Sequence, residues 1–377
     1  MSEEKIHILK EMPLRNPTNG TFELTVRCNL HCKMCMFRHD DSENVELMAN
    51  ELTAEQWIDM ARQAAEVGTF SLLITGGEPM LRPDFCEIWE GIYKFGFLLT
   101  LYTNATLVTP KVMETLRKYP PHTIGVTIYG ASPETYGRLC GSSSAFERML
   151  DGVHQLQTLP SIMEFRTTLV RDNFADASAI DELAKKEFGV KYGIKQASPI
   201  NKAVRGACAD VESCRVAPEI DIQMKVRRTE ESIRQIIGPD FDSRNLVRNK
   251  KSDGVVTTGD EKKVPSLFGC QAGMSQYTLT YEGKLLACQM IGVFSTDAVQ
   301  EGLQKAWERY PFVVHVPYYE GKCGQCAYVQ NCQSCYGSRY AETGDFNGCS
   351  DYIYQMAKAR KENEIFAGGI CDEKCQL

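Results

Sequence analysis

From about residue 21 to residue 200, short apolar runs alternate with stretches whose apolar residues recur at helical spacing. The runs predict strands at Phe22–Arg27, Phe70–Thr75, Leu98–Thr103, Thr123–Tyr129, Met163–Val170 and Val190–Gln196. Amphipathic helices are predicted between them at Ala54–Ala65, Phe85–Tyr93, Pro110–Lys118, Phe146–Leu156 and Asp176–Lys186. Strand–helix alternation requires right-handed crossovers and therefore a parallel sheet. Six such units in under 200 residues suit an open, partial (β/α)6 barrel better than a closed eight-fold barrel of typically ~250 residues. The competing α/β arrangement, a doubly wound sheet, lacks its glycine fingerprint at the first strand–helix turn.

The pattern changes after residue 200. Glu219–Ile237 reads as a charged helix, and Asn245–Lys263 as a mobile surface loop rich in Lys, Asp, Gly and Thr. Tyr277–Thr280 and Lys284–Ala287 flank Tyr281-Glu282-Gly283 as a hairpin. Three parts are expected: a barrel over 1–200, a bridging insertion over 201–264 and a cysteine-rich domain over 265–377. No internal repeat or low-complexity tract is visible.

Composition narrows the setting. With 377 residues, 43% hydrophobic and 24% charged, the chain is of ordinary globular type and long enough for two domains. A formal charge of −7 argues against a nucleic-acid partner. No apolar run approaches the ~18–20 residues that cross a bilayer, and the charged start Met1–Lys5 leads into no secretory core. A cytoplasmic location without membrane association is expected. In that reducing compartment, sixteen cysteines point to metal rather than disulfides.

Cys28, Cys32 and Cys35 directly follow the first predicted strand in C-x3-C-x2-C spacing. Three thiolates on a four-iron cube leave one iron open to a ligand. Zinc is the alternative and would need a fourth ligand such as His31 or His39. Some forty residues on, Gly76-Gly77-Glu78-Pro79 follows the second strand. Its glycines would let backbone approach a ligand, and Glu78 offers a hydrogen-bond acceptor for an ammonium group.

Together these residues resemble the radical SAM superfamily, with Met34 standing where the family usually has an aromatic residue. A thioether can still pack on an adenine. The resemblance implies a radical SAM type partial barrel binding S-adenosyl-L-methionine at a four-iron, four-sulfur (4Fe–4S) cluster held by Cys28, Cys32 and Cys35. Gly76, Gly77, Glu78 and Pro79 would contact its methionyl amino group. Asn104, after the third strand, and Thr127, at the end of the fourth, match family positions for the cofactor. Arg166 or Asn173 would hold the cofactor's carboxylate or ribose. The cofactor carries the chemistry: reduction by an electron donor such as a flavodoxin or ferredoxin gives a radical that takes a hydrogen atom from the substrate.

The second cysteine block runs Cys270-x17-Cys288, Cys323-x2-Cys326-x5-Cys332-x2-Cys335, then Cys349, with Gly283 five residues before Cys288. A zinc ribbon would also suit paired C-x2-C spacing. The whole pattern resembles the SPASM extension, although its usual gap between the last pair is three residues and here it is two. The resemblance implies two auxiliary clusters, hence three 4Fe–4S clusters in all. Cys323, Cys326, Cys332 and Cys349 would hold one. Cys270, Cys288 and Cys335 would hold the other, with an open iron or with Cys371 or Cys375 as a fourth ligand. Cys86, Cys140, Cys208 and Cys214 read as buried or incidental thiols.

SPASM proteins mostly modify peptides or proteins. The leading expectation is therefore crosslinking of side chains in a ribosomally made peptide, with a thioether favoured. A separate leader-binding protein, or the 201–264 segment, would then recognise the leader. Formylglycine formation on a sulfatase is the first alternative, but Gln289 stands where such enzymes typically place an Asp, and an amide is no carboxylate base. Haem-pathway decarboxylation is a further enzyme alternative, and a degenerate iron–sulfur scaffold or electron carrier the non-enzyme one.

Overall fold

A computed structural model of the chain describes residues 15–197, 200–238, 270–310, 323 and 325–363. Six strands lie side by side in parallel: β1 (Asn19–Glu23), β2 (Ser71–Thr75), β3 (Leu98–Thr103), β4 (Thr123–Thr127), β5 (Ile162–Thr168) and β6 (Lys195–Ala197). Three more, β7 (Gln276–Leu279), β8 (Lys284–Leu286) and β9 (Thr296–Asp297), complete one sheet in the order β6-β5-β4-β3-β2-β1-β7-β8-β9. The sheet is open, with β6 and β9 at its edges, as a partial barrel requires.

Strand alternation explains which side faces what. Phe22, Ile74, Leu101 and Ile124 are register partners and fully or almost fully buried. Phe22 meets the helix Ala54–Glu66 through Trp57, ring centroids 5.1 Å apart. The next residue on each strand turns to the opposite, inner face. That row reads Glu23, Thr75, Tyr102, Gly125 and, on β5, Glu164. It is polar because it lines the side where a ligand sits in such barrels, at the carboxyl ends of the strands.

The helices begin where side-chain caps allow. Thr53 caps Ala54–Glu66 in a reciprocal box with Gln56, and Thr109 caps Pro110–Lys118 with Pro110 in the first turn. Within residues 21–200, two helices escape the sequence pattern. Asn44–Asn50 buries only Leu47, too little for an apolar stripe. Pro133–Cys140 is eight residues long, yet carries its signals in the Ser132 cap and in Gly141, left-handed at φ 75°.

Among the described residues, one unit comprises 15–197, 200–215 and 271–310, and the other 216–238, 270, 323 and 325–363. The stretch 271–310 belongs with the barrel because β7 hydrogen-bonds alongside β1, from Asn19 opposite Gln276 to Phe22 opposite Leu279. The expected hairpin is present as β7 and β8, and it extends the main sheet. In the other unit, the helix Pro218–Ile237 packs on Asp351–Glu362 through Ile222, Met356 and Ala359. The expected loop Asn245–Lys263 lies outside the described residues. No described helix is long and apolar enough to cross a membrane.

Candidate functional site

The chain leaving β1 forms the loop that carries Cys28, Cys32 and Cys35. Helix Pro133–Cys140 holds it, since its last carbonyls would otherwise lack donors. The His31 N–H donates to the Cys140 carbonyl at 2.9 Å and the Lys33 N–H to that of Leu139 at 3.0 Å. The Cys35 N–H donates to the Cys32 carbonyl at 3.1 Å, closing a turn between two thiols. Cys32 and Met34 are buried, and Cys28 and Cys35 half-buried.

Burial, with the nearby Glu78 charge second, pushes the Cys28 thiol pKa well up. Burial and the Cys32 charge push Cys35 up to about 11. Cys32 is raised first by its hydrogen bond to the Cys140 sulfur and then by burial, while the Tyr129 hydroxyl donates to it and pulls it back. Three screened thiols within electrostatic reach of one another ionise only against a strong local cation. Soft sulfur donors in such a site fit an iron–sulfur cluster. His31 and His39, the candidates for a fourth zinc ligand, face carboxylates instead: Asp41 at 2.7 Å and Glu43 at 3.2 Å.

The Gly76–Pro79 segment sits at the end of β2. A Cβ on Gly76 would lie 2.2 Å from the Thr25 carbonyl oxygen, and one on Gly77 2.2 Å from that of Arg27. The glycines thus let this segment dock on the chain entering the cysteine loop, where the Gly77 and Glu78 N–H groups donate to Thr25 and Arg27 at 2.7 and 3.0 Å. Glu78 is fully buried. Its carboxylate accepts from the Met80 N–H at 3.1 Å, the Thr103 hydroxyl at 2.9 Å and the Asn104 N–H at 2.8 Å. Burial pushes its pKa up to about 7 against those hydrogen bonds. Pro79, buried, opens the short turn Pro79–Leu81 that Glu78 caps.

Asn104 reaches the cysteines directly. Its side-chain nitrogen donates to the Cys28 sulfur at 3.7 Å and to Asn29 at 3.0 Å, while its oxygen accepts from the Thr106 N–H at 2.9 Å. Next to it Ala105 is left-handed at φ 60°, a conformation that costs a non-glycine residue energy and is held here by its neighbours. Thr127 pairs in register with Arg166. The Arg166 guanidinium lies 3.7 Å over the Tyr102 ring, and its Nη2 donates to Glu164 at 3.3 Å. Gly125 makes room for this stack: a Cβ there would come within 2.6 Å of Tyr102.

Asn173 is tied into the fold. Its amide donates to the Tyr129 and Thr168 carbonyls at 2.8 and 3.0 Å, and its oxygen accepts from the Val170 N–H at 2.7 Å. The group is used up in tying the end of β4 to the end of β5. Of two interior groups, sequence reasoning read Cys140 only as a buried or incidental thiol and passed over Glu23. Cys140 is fully buried against Cys32. Glu23 is buried on the inner face, its carboxylate bridged by both Nη atoms of Arg205 at 2.7 and 2.9 Å. An acid between Phe22 and Leu24 in a strand was the signal for the latter.

In the other unit, Cys349 is raised by burial and then by the charges of Cys332, Cys323 and Cys326, so these four thiols share one neighbourhood. The Cys326 N–H donates to the Cys323 carbonyl at 3.2 Å, and the Cys335 sulfur caps the helix Tyr336–Thr343, accepting from the Ser338 N–H at 3.4 Å. Of the second expected set, Cys270 is exposed and Cys288 half-buried. Cys371 and Cys375 lie outside the described residues.

The family model of the Radical SAM superfamily matches residues 22–184. The chain is 29% identical over 353 residues to an AdoMet-dependent heme synthase of Methanosarcina barkeri, covering 89% of this chain and 96% of that protein. It is 30% identical over 181 residues to an Fe-coproporphyrin III synthase of the same organism, covering 48% of this chain and 44% of that protein. Among solved structures it is similar to Streptococcus suis SuiB bound to precursor peptide SuiA, with a TM-score of 0.65 and 16% identity over 93% of this chain and 79% of that one.

Proposed function

We propose that the chain is a radical SAM enzyme that removes carboxyl groups from propionate side chains of an iron porphyrin, the difference between an iron coproporphyrin and a haem. The likeness that carries this is the end-to-end match to a heme synthase, which spans the barrel and the cysteine-rich region alike. It displaces peptide crosslinking as the leading expectation. Fold likeness to a peptide-bound enzyme extends over the same chain but at 16% identity, and it keeps peptide modification as the second reading.

Cys28, Cys32 and Cys35 would hold the 4Fe–4S cluster that the fold implies, and S-adenosylmethionine bound there supplies hydrogen-atom abstraction from an unactivated carbon. The remaining roles belong to the chain's own residues. Asn104 steadies Cys28, Tyr129 and Cys140 steady Cys32, and Glu78 locks the ends of β2 and β3 beneath them. Arg166 and Thr127 border the inner face on the cofactor's side. Cys323, Cys326, Cys332 and Cys349 would hold one auxiliary cluster, and Cys270, Cys288 and Cys335 a second. An electron donor such as a flavodoxin or ferredoxin completes the system.

The chemistry suits this inner face. A propionate that loses a hydrogen atom and carbon dioxide gains a carbon–carbon double bond and leaves one electron for an acceptor. No protein base is required. Accordingly Gln289 replaces a carboxylate, and the neighbouring Glu23 is occupied by Arg205.

The test is direct. Anaerobically reconstituted, reduced enzyme with S-adenosylmethionine and iron coproporphyrin III should yield a product lighter by formic acid equivalents, together with 5′-deoxyadenosine. A porphyrin returned unchanged, with 5′-deoxyadenosine stimulated only by a cysteine-containing precursor peptide, would favour peptide modification instead.

A further inference from the structure

We propose that Arg205, steered by Glu23, is the residue that recognises a substrate carboxylate on the inner face of the barrel. This rests on the reading of the substrate as a porphyrin bearing propionates.

The geometry of the guanidinium is the starting point. Arg205 meets Glu23 end-on, Nη1 to Oε2 at 2.7 Å and Nη2 to Oε1 at 2.9 Å. A guanidinium has a second, side-on fork made of Nε–H and the outer Nη2 proton, and that fork matches a carboxylate equally well. In Arg205 the Nε is buried and has no hydrogen-bond partner. A buried donor left without an acceptor is costly and calls for one supplied by a ligand.

The surroundings agree. Glu23 lies in the same row as Thr75, Tyr102 and Gly125, on the face away from the helices. It is fixed further by a hydrogen bond with Gln289, on the loop that follows Cys288. Arg205 itself is left-handed at φ 54°, an unfavourable backbone for a side chain of that size. The segment on either side is tied down: the Val204 N–H donates to the Met36 carbonyl at 3.0 Å and the Cys208 N–H to that of Arg38 at 2.8 Å. Arg205 therefore runs alongside the chain leaving Cys35, its guanidinium 4.9 Å over the Phe37 ring. The position brings a cation with a free fork beside the cysteine loop, where a propionate must come to react.

The Nε atoms of Arg38 and Arg166 are likewise buried without partners, but the Arg205 guanidinium is the one oriented by a buried carboxylate on the inner face. Glu23 fixes the direction of that fork and makes no demand on the substrate.

The experiment is equilibrium binding to the reconstituted protein, followed by porphyrin absorbance, with iron coproporphyrin III and its tetramethyl ester as probes. Arg205→Gln should weaken binding of the free acid by about tenfold to a hundredfold, the range of a charge-assisted hydrogen bond, and leave the ester comparatively unaffected. Arg205→Lys should fall between, since it keeps the charge but loses the fork. Iron content and circular dichroism establish folding, and if Arg205→Gln loses iron, Arg205→Lys carries the comparison. Equal losses for acid and ester, or no loss for the acid, overturn the assignment while leaving the porphyrin reading intact. Failure of the unaltered protein to bind either porphyrin overturns both.

Discussion

The Glu78 carboxylate accepts the Asn104 backbone N–H at 2.8 Å, and the Asn104 side chain in turn donates to the Cys28 sulfur at 3.7 Å. A two-residue relay thus connects the end of β2, through the end of β3, to the first cysteine of the loop. Glu78 acts on the site by holding Asn104 in place.

That position has a pH consequence. Burial raises the folded-state pKa of Glu78 from its ordinary value to about 7. The folded chain therefore binds this proton more tightly than the unfolded chain. Its contribution to stability is fully present below the unfolded pKa, near 4.5, and is lost as pH rises through about 7. The change amounts to about 3 kcal/mol at most. Urea unfolding of cluster-free protein between those pH values should show stability falling as pH rises. Glu78→Gln should flatten the slope, because the amide does not titrate. An unaltered slope in the variant would place the titration elsewhere.

The Cys32 environment gives a second prediction. The Cys32 thiol donates to Cys140 in the metal-free chain. With Cys32 ionised as the proposed cluster ligand, the remaining donors are the Cys140 S–H and the Tyr129 hydroxyl. Hydrogen bonds to a ligand sulfur stabilise the more negative, reduced cluster and raise its potential. Cys140→Ala and Tyr129→Phe should each retain iron but move the midpoint potential to lower values in an EPR-monitored titration. Potentials equal to the unaltered protein would reduce both residues to packing.

Much of this was legible beforehand, and the gaps have physical causes. Strands β1 to β6 and five of the helices announce themselves because apolar periodicity is strong when one face is buried. Strand boundaries drifted where polar inner-face residues such as Thr127 and Thr168 end the ladder. The partnership of β7 with β1 spans more than 250 residues of sequence and leaves no local trace. Cysteine spacing marked candidate metal-binding loops, since residues close in sequence are close in space. Cys140 and Arg205 were hidden for the opposite reason: their partners, Cys32 and Glu23, are more than 100 residues away, and only the fold brings them together.

Gly152 tests the support beneath Asn104. It lies in the helix Ala145–Leu156, and a Cβ there would sit 1.9 Å from the Ala105 carbonyl oxygen. Ala105 is the left-handed residue that follows Asn104, so the helix cannot retreat without moving the turn. In an open helix Gly→Ala stabilises, by about 1 kcal/mol. Here overpacking should reverse the sign, with a net loss of about 1–3 kcal/mol in denaturant unfolding. A stabilised Gly152→Ala protein would show that the turn yields freely.

The last prediction concerns the second group of thiols. Cys349 feels the charges of Cys332, Cys323 and Cys326, although it is separated from Cys332 by the helix Tyr336–Thr343. Four thiols drawn from a turn and from beyond a helix repel one another when ionised, so they stay deprotonated together only when a metal offsets that charge. Cys349→Ala removes the ligand proposed to come from beyond the helix. Anaerobically purified Cys349→Ala should contain about four fewer irons per chain than the unaltered protein, one cluster's worth. Proteolysis should be faster within 325–363, because metal binding there contributes folding energy. Iron chelation of the unaltered protein should reproduce the same cleavage pattern. Full iron content in the variant, or zinc in place of iron in the unaltered protein, would remove these four cysteines from iron–sulfur ligation.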